Sequence, residues 1–395
     1  PFKFPPPDGF QPLNAANVRP VNVISRPDQY VGVTTYVGTG NGTTYTDTSL
    51  KFKPDMTWFK RRDGTVNHVL YDSVRGYGNA SNAIRSNTNG GESAFGDAVV
   101  TAKDNGFSVT GSNTSGINGS GEDIVFWAWK AGGAPTATNN NTSGAMDANS
   151  VSVDGVLQSA YTPSGSPTIY PTGMSVGTKQ GFSIIRYQAN STAGATIPHG
   201  LSQAPTFVLV KSLETAGSSN SDWTVFHSTL GGTKAMYLNE QDGSNSTGSW
   251  NDTNPNANVI TLGTAHVSNL SPNHYIAYAW HDVPGLQKFG SYGGADAFVE
   301  LGFRPAVLII KSETGSRNWI IIDSARDAFN PSDRALLVND SAAEDDNSVY
   351  AIDFLSNGFK VRGSNGQIDG DSSYIYAAWA EAPSIDLYGG GANAR

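Results

Sequence analysis

The chain has 395 residues, no cysteine and a formal net charge of −9. The missing thiols exclude disulfide frameworks and thiolate metal sites, and the acidic balance argues against a nucleic-acid partner, which requires clustered Lys and Arg. The longest apolar run, Ile124–Trp129, is far shorter than the ~20 residues of a membrane-spanning helix, so we expect no membrane insertion.

The rest of the composition indicates a fold built of short strands. Glycine accounts for 45 residues, and only 15% of the chain is charged. Such a composition suits strands that are joined by many tight turns. The chain shows no sustained helical period with start and stop signals, so it is predicted to be all-β.

The chain begins without a predicted strand. Residues 1–28 are rich in proline and lack periodicity, and we expect them to be the end of a preceding domain followed by a linker. An alternating strand is predicted at Tyr30–Tyr36. It opens a unit that the chain repeats three times.

Each repeat contains the same three predicted strands. The first is apolar, introduced by proline and closed by lysine; the second ends in serine; the third is aromatic and ends in tryptophan. In chain order they are Phe52–Lys60, Asn67–Ser73 and Ile124–Trp129; Ala204–Lys211, Asp222–Ser228 and Tyr275–Trp280; and Gly302–Lys311, Asn318–Ser324 and Tyr374–Trp379. Because a unit of roughly a hundred residues matches one small β-sandwich, we predict three tandem homologous antiparallel sandwiches, concanavalin- or jelly-roll-like, with long loops.

These strands set the predicted domain boundaries. Sandwiches are predicted at residues 29–134, 181–286 and 287–383, and a flexible tail at residues 384–395. Residues 135–180 are rich in Asn, Ser, Thr and Gly and are predicted to be an insertion or linker. Within them, Val151–Val153 and Thr168–Tyr170 could each add a strand.

The aromatic residues are predicted to lie in the core. Trp129, Trp280 and Trp379 recur at one place in the repeat, which is typical of a core residue rather than of a sugar-stacking platform. The strand Trp319–Asp323 is apolar on both faces at its centre and is predicted to be covered on both sides.

Two repeats place an acid, a serine and an arginine at the end of the second strand. These residues are Asp72, Ser73 and Arg75, and Asp323, Ser324 and Arg326, whereas the second repeat has His227, Ser228 and Leu230 there. A nucleophilic serine needs a base within reach and an oxyanion donor, and nothing nearby in the sequence supplies that set. We therefore predict a turn closed by an Asp–Arg contact or by the serine hydroxyl.

Other polar residues give no site. The six histidines show no metal-binding spacing, and His274 and His281 are predicted to face solvent; the others are His68, His199, His227 and His266. Asp369–Asp371 and Glu344–Asp346 lack the full calcium-loop spacing and are predicted to be turns. Lys60–Arg62, followed by Asp63, is predicted to be a solvated loop. The sequence assigns no catalytic, cofactor-binding or metal-ligating residue and leaves the receptor-binding residues unassigned.

Several segments resemble one family of viral proteins. Pro1–Asn14 is similar to the segment that ends SPRY-like (concanavalin-like) domains in tail proteins of marine bacteriophages, and the three units resemble the repeats that follow it there. The matching segments are Phe52–Lys60, Tyr71–Gly76, Gly173–Ile185, Pro198–Leu201, Lys288–Tyr292, Phe354–Lys360, Tyr374–Glu381 and Leu387–Arg395. The insertion and the residues His227 and Leu230 depart from the pattern.

This resemblance implies a virion structural protein. It implies a segment of a tail fibre or similar appendage of a phage that infects marine bacteria such as cyanobacteria, assembled as a homotrimer with other virion proteins and in contact with host surface polysaccharide. It implies no enzymatic activity and no cofactor, and it transfers no functional residue. The alternatives are a capsid or surface decoration protein without a receptor role, a bacterial surface adhesin, and an enzyme that degrades host polysaccharide.

Overall fold

The computed structural model describes residues 24–40, 42–111, 116–214, 221–294, 296–384 and 393. Most of the predicted end of a preceding domain (residues 1–28) and nearly all of the predicted tail (residues 384–395) lie outside the described residues.

The first unit is a sandwich of two antiparallel sheets. Its strands are β1 (Val31–Val37), β2 (Thr44–Asp47), β3 (Met56–Arg61), β4 (Val69–Asp72), β5 (Val99–Lys103), β6 (Gly106–Thr110) and β7 (Asp123–Trp129). The main sheet has the order β1-β7-β3-β4, and the second sheet, β2-β6-β5, covers one of its faces.

The second unit has the largest main sheet. Its elements are β8 (Val151–Val153), β9 (Val156–Leu157), β10 (Gly173–Gly177), β11 (Phe182–Gln188), β12 (Ala195–Pro198), β13 (Phe207–Ser212), β14 (Thr224–His227), β15 (Met236–Tyr237), β16 (Val259–Leu262), helix α1 (His266–Asn269) and β17 (His274–Trp280). The main sheet has the order β15-β14-β13-β17-β11-β10-β8-β9, and β12 pairs with β16 in a second sheet.

The third unit repeats the architecture of the first. Its strands are β18 (Gln287–Tyr292), β19 (Phe298–Glu300), β20 (Phe303–Ser312), β21 (Ile320–Asp323), β22 (Arg334–Leu337), β23 (Asp345–Asp346), β24 (Ile352–Leu355), β25 (Gly358–Val361) and β26 (Tyr374–Pro383). The main sheet has the order β18-β26-β20-β21-β22-β23 and the second sheet the order β19-β25-β24.

Four strands lie in the same order in every main sheet. An opening strand is followed by the Trp-bearing, the Lys-bearing and the Ser-ended strand, as β1-β7-β3-β4, β11-β17-β13-β14 and β18-β26-β20-β21. The prediction of an all-β fold of homologous sandwiches is confirmed. Its concanavalin- or jelly-roll-like character stays a prediction.

The predicted insertion at residues 135–180 contributes to the sheet of the second unit. β10 pairs with β11 on one side and, in parallel, with β8 on the other. Thr168–Tyr170 is not a strand, but Ile169 is buried in the core of the second unit. In the Asn-rich loop, the Asn139 side-chain oxygen accepts the backbone N–H of Asp147 at 2.9 Å. The segment is therefore built into the fold rather than only linking two units.

The three main sheets also pack against one another. Alternation along β17 explains how, because one face of this strand enters the core of its own sandwich and the other a central core shared by all three units. The first face carries Tyr275, Ala277 and Ala279, and the second carries Ile276, Tyr278 and Trp280. β21 is likewise covered on both sides, as predicted.

Tryptophan dominates this central core. All eight tryptophans are at most 2% exposed, and seven of them belong to the central core. The Trp379 ring lies edge-to-face against Trp129 and Trp280, with centroid distances of 5.3 and 5.9 Å. The predicted core role of the three repeated tryptophans is confirmed, and their place is where the three units meet.

The same contacts recur at all three junctions between units. A backbone N–H of one unit donates to a carbonyl of the next: Glu92 to Leu213 (2.8 Å), Ser244 to Glu313 (2.9 Å) and Glu344 to Arg62 (2.7 Å). A ring nitrogen crosses each junction in the other direction: Trp223 Nε1 to the carbonyl of Arg85 (2.7 Å), Trp319 Nε1 to that of Tyr237 (2.9 Å) and His68 Nε2 to that of Leu337 (3.0 Å). Because the third unit also contacts the first, the units form a closed ring with pseudo-threefold symmetry.

Candidate functional site

The acid and the arginine at the end of the second strand form a buried ion pair in the first and third units. Arg75 Nε donates to Asp72 Oδ2 at 2.5 Å, and Arg326 Nε to Asp323 Oδ2 at 2.6 Å. The other carboxylate oxygen of each aspartate accepts two backbone N–H groups of the turn. All four side chains are 0% exposed. The structure thus contains the Asp–Arg turn that the sequence predicts.

Each aspartate also binds the neighbouring unit. The Tyr278 hydroxyl donates to Asp72 Oδ2 at 2.7 Å, and Trp127 Nε1 donates to Asp323 Oδ2 at 3.1 Å. Tyr278 and Trp127 occupy the same place, two residues before the last tryptophan of their strands. The turn carboxylates are therefore used to join units.

The second repeat lacks the Asp–Arg pair, and the junction between the second and third units explains why. The position that matches Tyr278 and Trp127 is Ala377, which offers no side-chain donor. His227 replaces the acid there, and its Nε2 donates to the carbonyl of Tyr376 at 3.2 Å. Because His227 places no carboxylate in the core, no arginine is required there as an ion-pair partner. Leu230 occupies the position of the arginine and is buried.

The lysines that close the first strand of each repeat are also buried. Lys60, Lys211 and Lys311 are 0% exposed, and each ammonium group donates to two backbone carbonyls. Lys211 and Lys311 cross a junction, to the carbonyls of Asn89 (2.9 Å) and Gln241 (2.6 Å). Burial lowers the pKa of these lysines to about 8, 7 and 8 in chain order.

The prediction of a solvated loop at Lys60–Arg62 is therefore wrong. Lys60 is buried, and Arg62 donates two hydrogen bonds, of 2.9 and 2.8 Å, to Glu344 of the third unit. The sequence could not show this because the ring brings the third unit against the loop.

Four of the six histidines are buried. They are His68, His199, His227 and His281, and burial lowers the pKa of each, to about 4 for His199 and His227. The prediction that His281 faces solvent is wrong, since it is 3% exposed beneath the loop at Gly181. His274 is partly exposed beside Glu214, at 3.0 Å.

The acidic clusters bind arginine. Asp371 accepts hydrogen bonds from Ser312 Oγ (2.6 Å) and from Arg317. Burial alone would raise the pKa of Glu344, but hydrogen bonds from Arg62 and the charge of Arg326 outweigh it and hold that pKa below its usual value. Among the residues that the structure describes, no three His, Asp or Glu side chains are gathered in a way that could hold a metal ion.

The candidate site is a cleft of about 680 Å³ between the first unit and the β8–β9 hairpin, here called the hairpin cleft. The hairpin turns at Asp154 and Gly155, whose φ angles of 49° and 87° suit a tight two-residue turn. The first unit contributes cationic, aromatic and polar side chains, and the segment after it contributes an apolar edge. The lining residues include Lys53, Asp55, Tyr77, Lys130 and Leu157.

The charges of the cleft are unbalanced. Within the described ranges, no carboxylate lies within 4.0 Å of the ammonium nitrogen of Lys53 or Lys130. The Lys130 ammonium lies 6.0 Å from the Tyr30 ring centroid. Asp55 is 4% exposed, and its Oδ2 already accepts the N–H groups of Ala131 (2.8 Å) and Gly133 (3.1 Å). Burial raises the pKa of Asp55 and raises that of Tyr77 well above its usual value, so Tyr77 stays a neutral phenol.

Two other grooves have side chains less suited to catalysis or to binding a ligand. One, of about 560 Å³, places Ser202 Oγ 3.4 Å from His281 Nε2. That is long for a nucleophile–base pair, and His281 Nδ1 binds the backbone carbonyl of Asp282 rather than a carboxylate. The other groove, of about 540 Å³, follows the junction of the second and third units and has only small polar and charged residues.

The sequence did not single out the residues of the hairpin cleft. Lys53, Tyr77 and Lys130 come from separate segments and form no motif. The one local signal is Asp154-Gly155 after an apolar triplet, which is typical of a β-hairpin.

Among the described residues, the structure has no helix with the length and apolar character of a membrane span.

Comparison with protein families gives one match. A family model described as a domain of unknown function (DUF7483) matches residues 26–169 and again residues 159–383. No curated protein and no solved structure matches the chain. Since the two matches span most of the sequence, the chain belongs to the DUF7483 family.

Proposed function

We propose that this member of the DUF7483 family is a non-enzymatic structural protein of a phage particle, a segment of a tail fibre or similar appendage that contacts glycans on the host surface. It acts outside the cell as part of the virion. The proposal carries forward the resemblance of the repeats to phage tail proteins.

One structural observation carries the proposal. The three units close a ring in which each junction has the same backbone hydrogen bond, and the central core contains seven tryptophans. A ring held by buried contacts on every side resists deformation, as an extended appendage requires. The buried acids, lysines and histidines support the junctions and turns of this ring.

The non-enzymatic part of the proposal is supported by the same contacts. Asp72 and Asp323 are fully buried and paired with arginine, so neither is offered to a substrate. Incubation of the protein with host envelope glycans is expected to release no new reducing ends, and their release would contradict this part.

The homotrimer expected from the resemblance remains a proposal. The ring offers an alternative, since one chain already arranges three sandwiches about an axis. Size-exclusion chromatography with light scattering separates the two: a particle of 41.6 kDa supports the single-chain ring, and three times that mass supports the homotrimer.

Immunogold labelling of purified phage particles tests the location. Label on the tail or its fibres is expected. Label on the head would favour the decoration protein, and label on bacterial cells without phage would favour the adhesin. Particles without label would overturn the proposal.

A further inference from the structure

We propose that the hairpin cleft is the glycan-binding site of the protein and that its ligand is an acidic saccharide. This inference rests on the proposed function and names the class of surface glycan. It is carried by the charges, the rigidity and the position of the cleft.

The far wall of the cleft is held in place before any ligand arrives. At the hairpin tip, the Gly155 N–H donates to the carbonyl of Gly132 at 2.8 Å, and the Asp154 N–H to that of Val176 at 2.9 Å. The Asp154 carboxylate accepts the N–H and the hydroxyl of Thr178, at 2.9 and 2.5 Å. A preformed wall reduces the entropy that binding would otherwise cost.

The lysines of the cleft select for negative charge. Lys53 and Lys130 have no ion-pair partner among the described residues, in a chain whose net charge is −9. Asp55 also lines the cleft and interacts electrostatically with Lys130, but it is buried and already accepts two backbone N–H groups. The two lysines therefore leave the cleft with a net positive charge, which attracts a carboxylate or sulfate group, whereas the acidic remainder of the surface repels the same ligand elsewhere.

The other lining groups suit a sugar ring. Ser73, Thr101 and Thr136 line the cleft together with Tyr77. On the hairpin, Leu157 lines the cleft and is 39% exposed, although leucine is usually buried. A saccharide presents both hydroxyl groups and apolar C–H faces, so it matches a cleft that combines polar groups with an apolar rim.

The position of the cleft agrees with a binding role. The hairpin belongs to residues 135–180, which have no counterpart in the described parts of the first and third units. In the first and third units, β1 and β18 are the edge strands of their main sheets. In the second unit, the corresponding strand β11 is followed by β10, β8 and β9. The ring does not need this segment for its symmetry, and among the described residues the cleft is formed at one unit alone.

The test measures binding to immobilised oligosaccharides. The probes are an oligogalacturonate and a sulfated galactan oligosaccharide, with a neutral glucan oligomer of equal length and a poly-glutamate peptide as comparisons. The variants are Lys53→Glu and Leu157→Ser, both at exposed positions, and Lys234→Glu, an exposed lysine outside the cleft, is the matched control. Thermal unfolding of each variant checks that the fold is unchanged.

We expect at least one acidic saccharide to be retained and the neutral glucan not to be. Lys53→Glu should weaken binding about tenfold, because an attraction becomes a repulsion. Leu157→Ser should weaken it less, and Lys234→Glu should leave it within about twofold.

Three results would overturn the inference: retention of neither acidic saccharide, equal retention of the poly-glutamate peptide, or equal loss in the Lys234→Glu control. Each is distinguishable from failure of the proposed function. Labelled phage tails together with any of these results would remove the cleft assignment and leave the structural role in place.

Discussion

The Tyr278 hydroxyl of the second unit donates a 2.7 Å hydrogen bond to Asp72 Oδ2 of the first unit, and both side chains are fully buried. Tyr278→Phe removes this donor and leaves the Asp72 carboxylate with one partner fewer. We expect the free energy of unfolding to fall by about 1–3 kcal/mol, since a buried charged acceptor loses a hydrogen bond. Urea denaturation followed by tryptophan fluorescence measures the change.

The matched control for this prediction is Tyr350→Phe. Tyr350 is 8% exposed, and its hydroxyl has no hydrogen bond to any of the residues described. An equal loss of stability in both variants would show that the junction hydrogen bond contributes nothing specific.

Trp379→Ala should destabilise all three units together. The Trp379 ring packs against both Trp129 and Trp280, so its removal opens a cavity in the shared core. We expect a loss of about 3–5 kcal/mol, seen by calorimetry as one unfolding transition at a lower temperature. Phe329→Ala is the control, because Phe329 is 80% exposed. A separate early transition for the third unit alone would contradict the shared core.

The buried histidines should make the protein unstable in mild acid. Burial holds the pKa of His68, His199 and His227 below the usual value, to about 4 for the last two. Between pH 6.5 and 4 the unfolded chain binds more protons than the folded one, so stability falls as the pH falls, by at most about 1.4 kcal/mol per pH unit for each histidine. Urea midpoints measured at several pH values test this.

A histidine variant refines the acid prediction. His227→Gln should reduce the slope of stability against pH in this range, whereas the exposed His266→Gln should not. Equal slopes in the wild type and in His227→Gln would contradict the assignment to buried histidine.

The three buried lysines should make the stability of the protein depend on pH in the alkaline range. Burial lowers their pKa to about 7–8, so between pH 8 and 10 the unfolded chain again binds more protons, and stability rises with pH. Above pH 10 the rise should reverse, because burial raises the pKa of tyrosines such as Tyr278 and Tyr187. Lys211→Met should flatten the rise and the exposed Lys234→Met should not; a stability independent of pH from 8 to 10 in the wild type would refute the prediction.

The strands could be predicted from the sequence, and the ring could not. Period-2 alternation and the recurring end residues, such as Lys211 and Trp280, are local signals that survive in each repeat. The junctions use backbone atoms of Glu92, Ser244 and Glu344, which leave no residue pattern. The ring nitrogens that also cross them belong to residues of the predicted second strands, whose sequence does not show which unit they contact. The Asp–Arg turn was predictable because Asp72 and Arg75 are three residues apart, whereas the partner Tyr278 is about two units of sequence away.

The candidate site was less predictable for a related reason. Its lysines are brought together by a segment whose composition is typical of a linker. Low apolar content suggested that residues 135–180 bury little, but the side-chain amide of Asn139 and the parallel pairing of β8 with β10 order the segment. Side-chain hydrogen bonds of this kind depend on the fold around them.

A ring encoded in one chain differs from three identical subunits in what mutation can do to it. In an assembly of identical subunits every amino-acid change appears at three places, and a new loop must be tolerated three times. Here His227, Leu230 and Ala377 differ from their counterparts at one junction, while Asp72 and Asp323 have their partners at the others. In a single chain each unit carries its own residues, so a change in the β8–β9 hairpin leaves the sequence of the other two units as it is.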